Sequence, residues 1–134
     1  MASEQTRFKF KGYRITKSNM SIVPTGKIKQ DLNVTFSGVK DTICDSEYML
    51  DLGASITNAD NSVNIDVEMR GFFEFDKDLK DQEKVSFFTG SAPAIMFPYI
   101  RAYISTLTGI AGIEPIILPT INFVEGLRRA KVEE

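Results

Sequence analysis

Few residues in this 134-residue chain have the types and spacing that chemistry requires, and histidine is absent. Without it there is no His general base, no Ser–His or Cys–His nucleophile pair and no imidazole ligand for a metal. The single cysteine, Cys44, excludes an internal disulfide and a cysteine-cluster zinc site. It sits in a loop with no neighbour that would lower its pKa, so it reads as an incidental thiol. A free thiol fits a reducing compartment. Carboxylates cluster at Asp76, Asp78, Asp81 and Glu83. They lack the glycine and terminal Glu of a calcium loop and read as a solvated helix face. Ser55, Thr57 and Tyr99 have no base in any recognisable pattern, and Gly53, Gly71, Gly109 and Gly112 do not fall in a phosphate-loop spacing. No catalytic residue, metal site or cofactor is therefore expected, and an enzyme is the least supported class.

Composition narrows the classes further. Lys plus Arg is 16 against 18 Asp plus Glu, a net charge of −2. That balance lacks the basic stripe of a nucleic-acid binder. Hydrophobic residues at 43% and charged residues at 25% fit one globular domain, taken as residues 1–134. The N-terminus is polar, without a signal-peptide core. No apolar run approaches the ~20 residues of a membrane span. The expectation is a soluble, cytoplasmic protein without membrane insertion.

The elements that would position any site come from periodicity. Phe8 and Phe10 alternate with Arg7, Lys9 and Lys11; Gly12 interrupts, which predicts a bulge, and Tyr13 and Ile15 resume on the other parity. The five cations Arg7, Lys9, Lys11, Arg14 and Lys17 would attract an acidic partner or protect a strand edge. Residues 18–29, with Pro24-Thr-Gly26, read as a connection. Three further alternating sets follow: Leu32, Val34 and Phe36; Tyr48 to Ile56; and Val63 to Phe75. They predict a four-stranded antiparallel meander with one wet face.

Beyond Asp76 the period changes. Residues 78–88 are charged and weakly helical, and Gly90-Ser-Ala-Pro93 reads as a break with Ser91 as N-cap. A helix is predicted over 93–108, kinked at Pro98. Between Lys84 and Glu114 its only charge is Arg101. That charge reads as structural, bonded to backbone carbonyls or to an acid across an interface. Ile95, Tyr99, Tyr103, Ile104 and Leu107 help to make the helix apolar on nearly every side. A sheet covers only one side of a helix, so this predicts an oligomer. Gly109 and Gly112 end the helix, and Ile113–Phe123, with Pro115 and Pro119, reads as an extended apolar connector before a short charged helix over 124–134.

Pro93-Ala-Ile-Met-Phe-Pro-Tyr-Ile-Arg101 and then Gly112-Ile-Glu-Pro-Ile-Ile-Leu-Pro-Thr-Ile-Asn-Phe123 resemble the SecB protein-export chaperone family. The preceding strands fit that family's order and length. The resemblance implies an α+β fold: a four-stranded antiparallel meander, a long helix, a connector and a second helix, assembled as a dimer of dimers. It implies an ATP-independent holdase that keeps unfolded preproteins in apolar grooves and hands them to the SecA motor. The groove residues would be Ile22, Val23, Ile28, Leu32, Val34, Phe36, Ile113, Ile116, Leu118, Ile121 and Phe123. The helix residues Ile95, Tyr99, Arg101, Tyr103, Ile104 and Leu107 would form the oligomer interface.

The departures from the family pattern are specific. Ile28 stands where the family often has Trp, and the first connector is shorter. Ser18, Asn19, Ile22 and Val23 replace acidic motor contacts, leaving Asp66 as one acid at a matching place. Gly109-Ile110 replaces a frequent Arg, and the tail is short. These features resemble the divergent branch of the family that includes chaperones dedicated to antitoxins. The competing class is a scaffold of the same fold that assembles through the helix and binds no unfolded chain.

Overall fold

The structure, a computed structural model, describes residues 8–44 and 46–119, the side chains of 39–44 apart. Ile121, Phe123 and the expected second helix lie outside the described residues. Four antiparallel strands, β1 (Phe8–Ile22), β2 (Leu32–Cys44), β3 (Glu47–Asn58) and β4 (Val63–Phe75), precede the helical segment. The sheet order is β1-β4-β3-β2. Thus β2, β3 and β4 form the expected meander, while β1 pairs with β4 at the far edge, which makes a Greek key. Residues 23–31 are too many for a hairpin turn. They cross the end of the sheet instead, beside the β3–β4 turn.

Strand β1 bulges at Phe10/Gly12 as the glycine predicts, and again at Ile15/Lys17. It also outruns its predicted end. Residues 18–22 continue the ladder to Ile22, opposite Val63. Ser18, on the side where Met20 and Ile22 follow, hides this continuation. Ser18 faces the helix, where the Tyr103 hydroxyl donates to its Oγ at 2.8 Å. Asn19 lies exposed on the other face, opposite Asp66.

The helical segment is continuous from α1 (Asp81–Ser86) through a π segment (Phe87–Ser91) into α2 (Ala92–Ile110). Ser91 is not an N-cap: its backbone is helical (φ −71°, ψ −41°) and its side chain caps nothing. The Ala92 N–H reaches back five residues to the Phe87 carbonyl. The wide turn sits just ahead of Pro93, whose missing N–H would interrupt a regular ladder. It also turns Phe87 and Phe88 toward the sheet, where they stack on Phe8 at 3.8 Å and Tyr48 at 3.6 Å. The sequence alone puts both rings in a charged, weakly helical stretch.

The core forms between one face of β3 and β4 and one stripe of α2, in which Ala92, Met96, Ile100, Ile104 and Thr108 recur every four residues. The helix comes so close at Gly71 that a Cβ there would stand 2.7 Å from the Met96 sulfur. Ile116 and Leu118 of the extended connector close the end of this core, Leu118 with no exposure.

Tyr48 is buried, and its hydroxyl has no hydrogen-bond partner among the described residues. Burial first, and the Asp51 charge second, push the phenol well above its usual range. The folded state keeps the proton that an unfolded tyrosine loses near pH 10, so stability is intact below about pH 10 and falls above it. Tyr48→Phe should match or exceed the parent stability at neutral pH, by up to about 1 kcal/mol, since it removes an orphaned polar group. It should also flatten the alkaline fall. Urea titrations at neutral pH and at about pH 10.5 check both; a Phe variant weaker at neutral pH would reveal a partner for the hydroxyl. Leu118→Asp should abolish cooperative melting by circular dichroism, because an unpaired charge in this position costs several kcal/mol. A parent-like melt would mean that the connector is not part of the core.

Candidate functional site

The two long connections meet beside the β2 edge. Gly26 to Gln30 form one lip of a cleft of ≈ 350 Å³, Gly112 to Glu114 form the other, and Leu32 and Ile116 line it as well. The second lip exists because α2 stops where it does. Gly112 takes φ +97°, and the Ile113 N–H turns back to the Thr108 carbonyl at 3.3 Å, which closes the helix end and reverses the chain. The Ile116 N–H then bonds to Thr108 Oγ1 at 2.9 Å, while that hydroxyl donates to the Ile104 carbonyl at 2.8 Å. The first lip is tied to the β3–β4 turn. Asn58 donates through Nδ2 to the Lys29 carbonyl at 3.3 Å and to Ser62 Oγ at 2.7 Å, and its Oδ1 accepts from the Val63 N–H at 3.1 Å.

Of the residues expected to line a client groove, Ile28, Leu32, Ile113 and Ile116 do come together here. Leu118 does not: it points into the chain's own core. The exposed side chain of that stretch is Ile117, at 64%, which the sequence reading passed over; the alternation about Ile116 and Leu118 was the available signal. Val34 and Phe36 pack half-buried on the core beside the cleft, Phe36 with its ring edge-on to Phe97 at 5.6 Å. Ile22 and Val23 sit at the end of β1, the opposite edge strand. Val23 is exposed there, with its N–H bonded to the Ser62 carbonyl.

The residues expected at an oligomer interface divide. Ile95 and Tyr99 are exposed, and Tyr99 packs against Tyr13 and Phe10 at ring distances of 4.7 and 5.7 Å. Arg101, Tyr103 and Leu107 are half-buried. Ile104 is wholly buried against the sheet, so it belongs to the chain's own core and not to a partner face. Tyr13, exposed on β1, belongs to the same aromatic patch.

The outer face of the sheet is different in kind. Asp66 lies in a trough of ≈ 550 Å³ with Asn19, Ser21, Ser55, Thr57 and Asn64. Lys17 Nζ stands 2.7 Å from it and Ser55 Oγ donates at 3.2 Å. The lysine chiefly, and the serine after it, hold this carboxyl below the usual range, and the lysine is raised in turn. On the same face Arg70 grips Asp51 with two bonds, Nε at 2.7 Å and Nη2 at 2.9 Å. Charges here are compensated in place. Among the described residues no group of three or more His, Cys, Asp and Glu could hold a metal ion, and no helix is long and apolar enough to cross a membrane.

Known proteins give the arrangement a family. A protein of Methanocaldococcus jannaschii, itself uncharacterised, is 45% identical over 76 residues, 57% of this chain and 47% of its own length. The chain therefore spans about half of that relative. The protein-export protein SecB of Rhodospirillum centenum is 26% identical over 91% of this chain and 72% of its own. That of Saccharophagus degradans is 28% identical over 78% of this chain and 64% of its own. A Mycobacterium tuberculosis SecB-like chaperone, solved in complex with a ChAD peptide from the HigA1 antitoxin, superposes with a TM-score of 0.72 at 17% identity, over 87% of this chain and 91% of that one. The four-stranded sheet and long helix match that fold, and because the family described as preprotein translocase subunit SecB matches residues 16–133, this chain is a member of the SecB family.

Proposed function

We propose that this protein is an ATP-independent holdase that keeps non-native polypeptides from aggregating by taking apolar segments into the cleft between its two connections. The observation that carries this reading is the convergence of Ile28, Leu32, Ile113 and Ile116 on one open cleft beside an edge strand. Burial of apolar side chains is non-directional, so such a surface accepts many sequences. An edge strand adds backbone hydrogen bonds for an extended chain. The working form is a homo-oligomer in the cytoplasm, a dimer of dimers, joined through the exposed Ile95, Tyr99 and Tyr13 patch. Release follows from client folding or handover.

Two lines of support favour a dedicated client over general export. The antitoxin peptide is bound by a protein of the same fold. Asp66, the remaining acid at a motor-contact position, is already matched by Lys17, which weakens any pull on a cationic motor surface. SecA delivery is the other form of the same activity. A scaffold without client binding is the second reading, and the burial of Ile116 and Leu118 within the chain favours it.

Light scattering from a denatured, aggregation-prone protein diluted into buffer checks the reading. The full chain should suppress aggregation near stoichiometric ratios without ATP. Ile28→Asp, at a half-buried position on the cleft lip, should weaken client binding by roughly tenfold or more and leave the oligomer mass unchanged. No suppression, together with no polypeptide co-purifying from the native cell, would leave the scaffold reading standing.

A further inference from the structure

Among the described residues three polar side chains are buried, Asn58 at 2% exposure, Ser62 at 5% and Thr108 at 0%, and two of them, Asn58 and Thr108, reach the cleft. Each bonds to the backbone of one lip of the cleft. Asn58 extends from the end of β3 to the Lys29 carbonyl, next to Ile28. Thr108 extends from the last turn of α2 to the Ile116 N–H. Neither bond is needed to complete a strand or helix ladder. Both spend a buried hydrogen-bonding group on a connection that the ladders leave loose. Among the described residues, the backbone bonds nearest the first lip are Val23 N–H to the Ser62 carbonyl and Leu32 N–H to the Gln30 carbonyl. These lie at its two ends.

A lip that moved would leave the buried Ile116 N–H, or one amide hydrogen of Asn58, without its partner, and an unpaired buried polar group is costly. The lips are thereby held apart at a set distance before anything binds. That matters for a site whose occupant is a flexible chain. Ordering the client already opposes binding, and a preformed cleft spares the further cost of ordering the protein.

We propose that Asn58 and Thr108 are positioning residues that hold the cleft open in the free protein, with Thr108 setting affinity through the Ile116 backbone. The proposal rests on the reading of the cleft as the client site. It excludes an induced-fit cleft that forms around its occupant.

Amide hydrogen exchange on the unaltered full chain tests it without any substitution. The Ile116 amide should be protected in the free protein and no more protected after addition of reduced, carboxymethylated lactalbumin, an unfolded probe. Thr108→Val, which keeps the shape and removes the acceptor, should expose the Ile116 amide and weaken binding of the fluorescein-labelled probe about tenfold. Thr108→Ser, which keeps the hydroxyl, should restore both to within about twofold. An Ile116 amide that exchanges freely until the probe arrives would overturn the proposal. So would Thr108→Val with an exposed amide and parent affinity. If Thr108→Val does not fold, the exchange result on the unaltered chain decides. Failure of the unaltered chain to bind the probe, or parent-like binding by Ile28→Asp, strikes instead at the reading of the cleft.

Discussion

One stripe of one helix has to be buried against a four-stranded sheet, and the rest of the molecule is arranged around that contact. The stripe repeats every four residues from Ala92 to Thr108, close to the 3.6-residue period that keeps side chains on one face. The contact is tight where Met96 crosses Gly71, since no Cβ fits there. The helix thus lies at a distance set by backbone at one point and by aliphatic side chains elsewhere. Two consequences follow. The flank of the helix that carries Ile95 and Tyr99 is left exposed, Tyr99 meeting only the edge-strand rings of Tyr13 and Phe10. The C-terminal end of the stripe stands over the β2 side of the sheet, where the chain must turn back and cover the end of the core.

Much of this order is legible in the sequence, and what is not has physical causes. Strand alternation is plain in Tyr48–Ile56 and Val63–Phe75 because these central strands have one dry and one wet face. The edge strand β1 is harder to read. At Ser18 the dry side carries a serine that finds Tyr103 for a partner, so polarity does not mark the face there, although Met20 resumes it. The strand order is not legible at all, because period two says that strands exist but not which of them meet. The break expected at Gly90–Pro93 fails because a π turn carries the helix through a residue without an N–H, and no local signal announces such a turn. Phe87 and Phe88 become core residues only through it.

The cleft shows the same division. Apolar residues in both connections are visible as apolar, and four of them meet at one site. Which of them face outward depends on where α2 ends. Thr108 and Asn58, which fix the lips, carry no signal of that role in the sequence. A threonine in a helix and an asparagine before a turn are ordinary, and their partners lie far along the chain. By contrast the charged side chains of the outer sheet face pair with one another, Arg70 with Asp51 and Lys17 with Asp66. Exposed pairs of this kind contribute little to stability. They do keep the face polar, in contrast to the apolar cleft.

The connector after α2 serves both the core and the proposed client cleft. Its side chains alternate: Ile116 and Leu118 are buried, Ile117 is exposed and Ile113 is half-buried at the cleft. One short extended segment therefore closes the core with one side and offers apolar surface with the other. Pro115 and Pro119 favour the extended conformation that separates the two sides, because the residue before a proline avoids helix. Substitutions in this segment will divide by parity. Those on the inward side act through folding, and a loss of client binding there says nothing about contact. Those at the exposed Ile117 act on the surface, and those at Ile113, half-buried against the core, act on both. A groove built from the same residues that seal a core cannot widen freely, and this is why buried hydrogen bonds rather than loop flexibility set its dimensions.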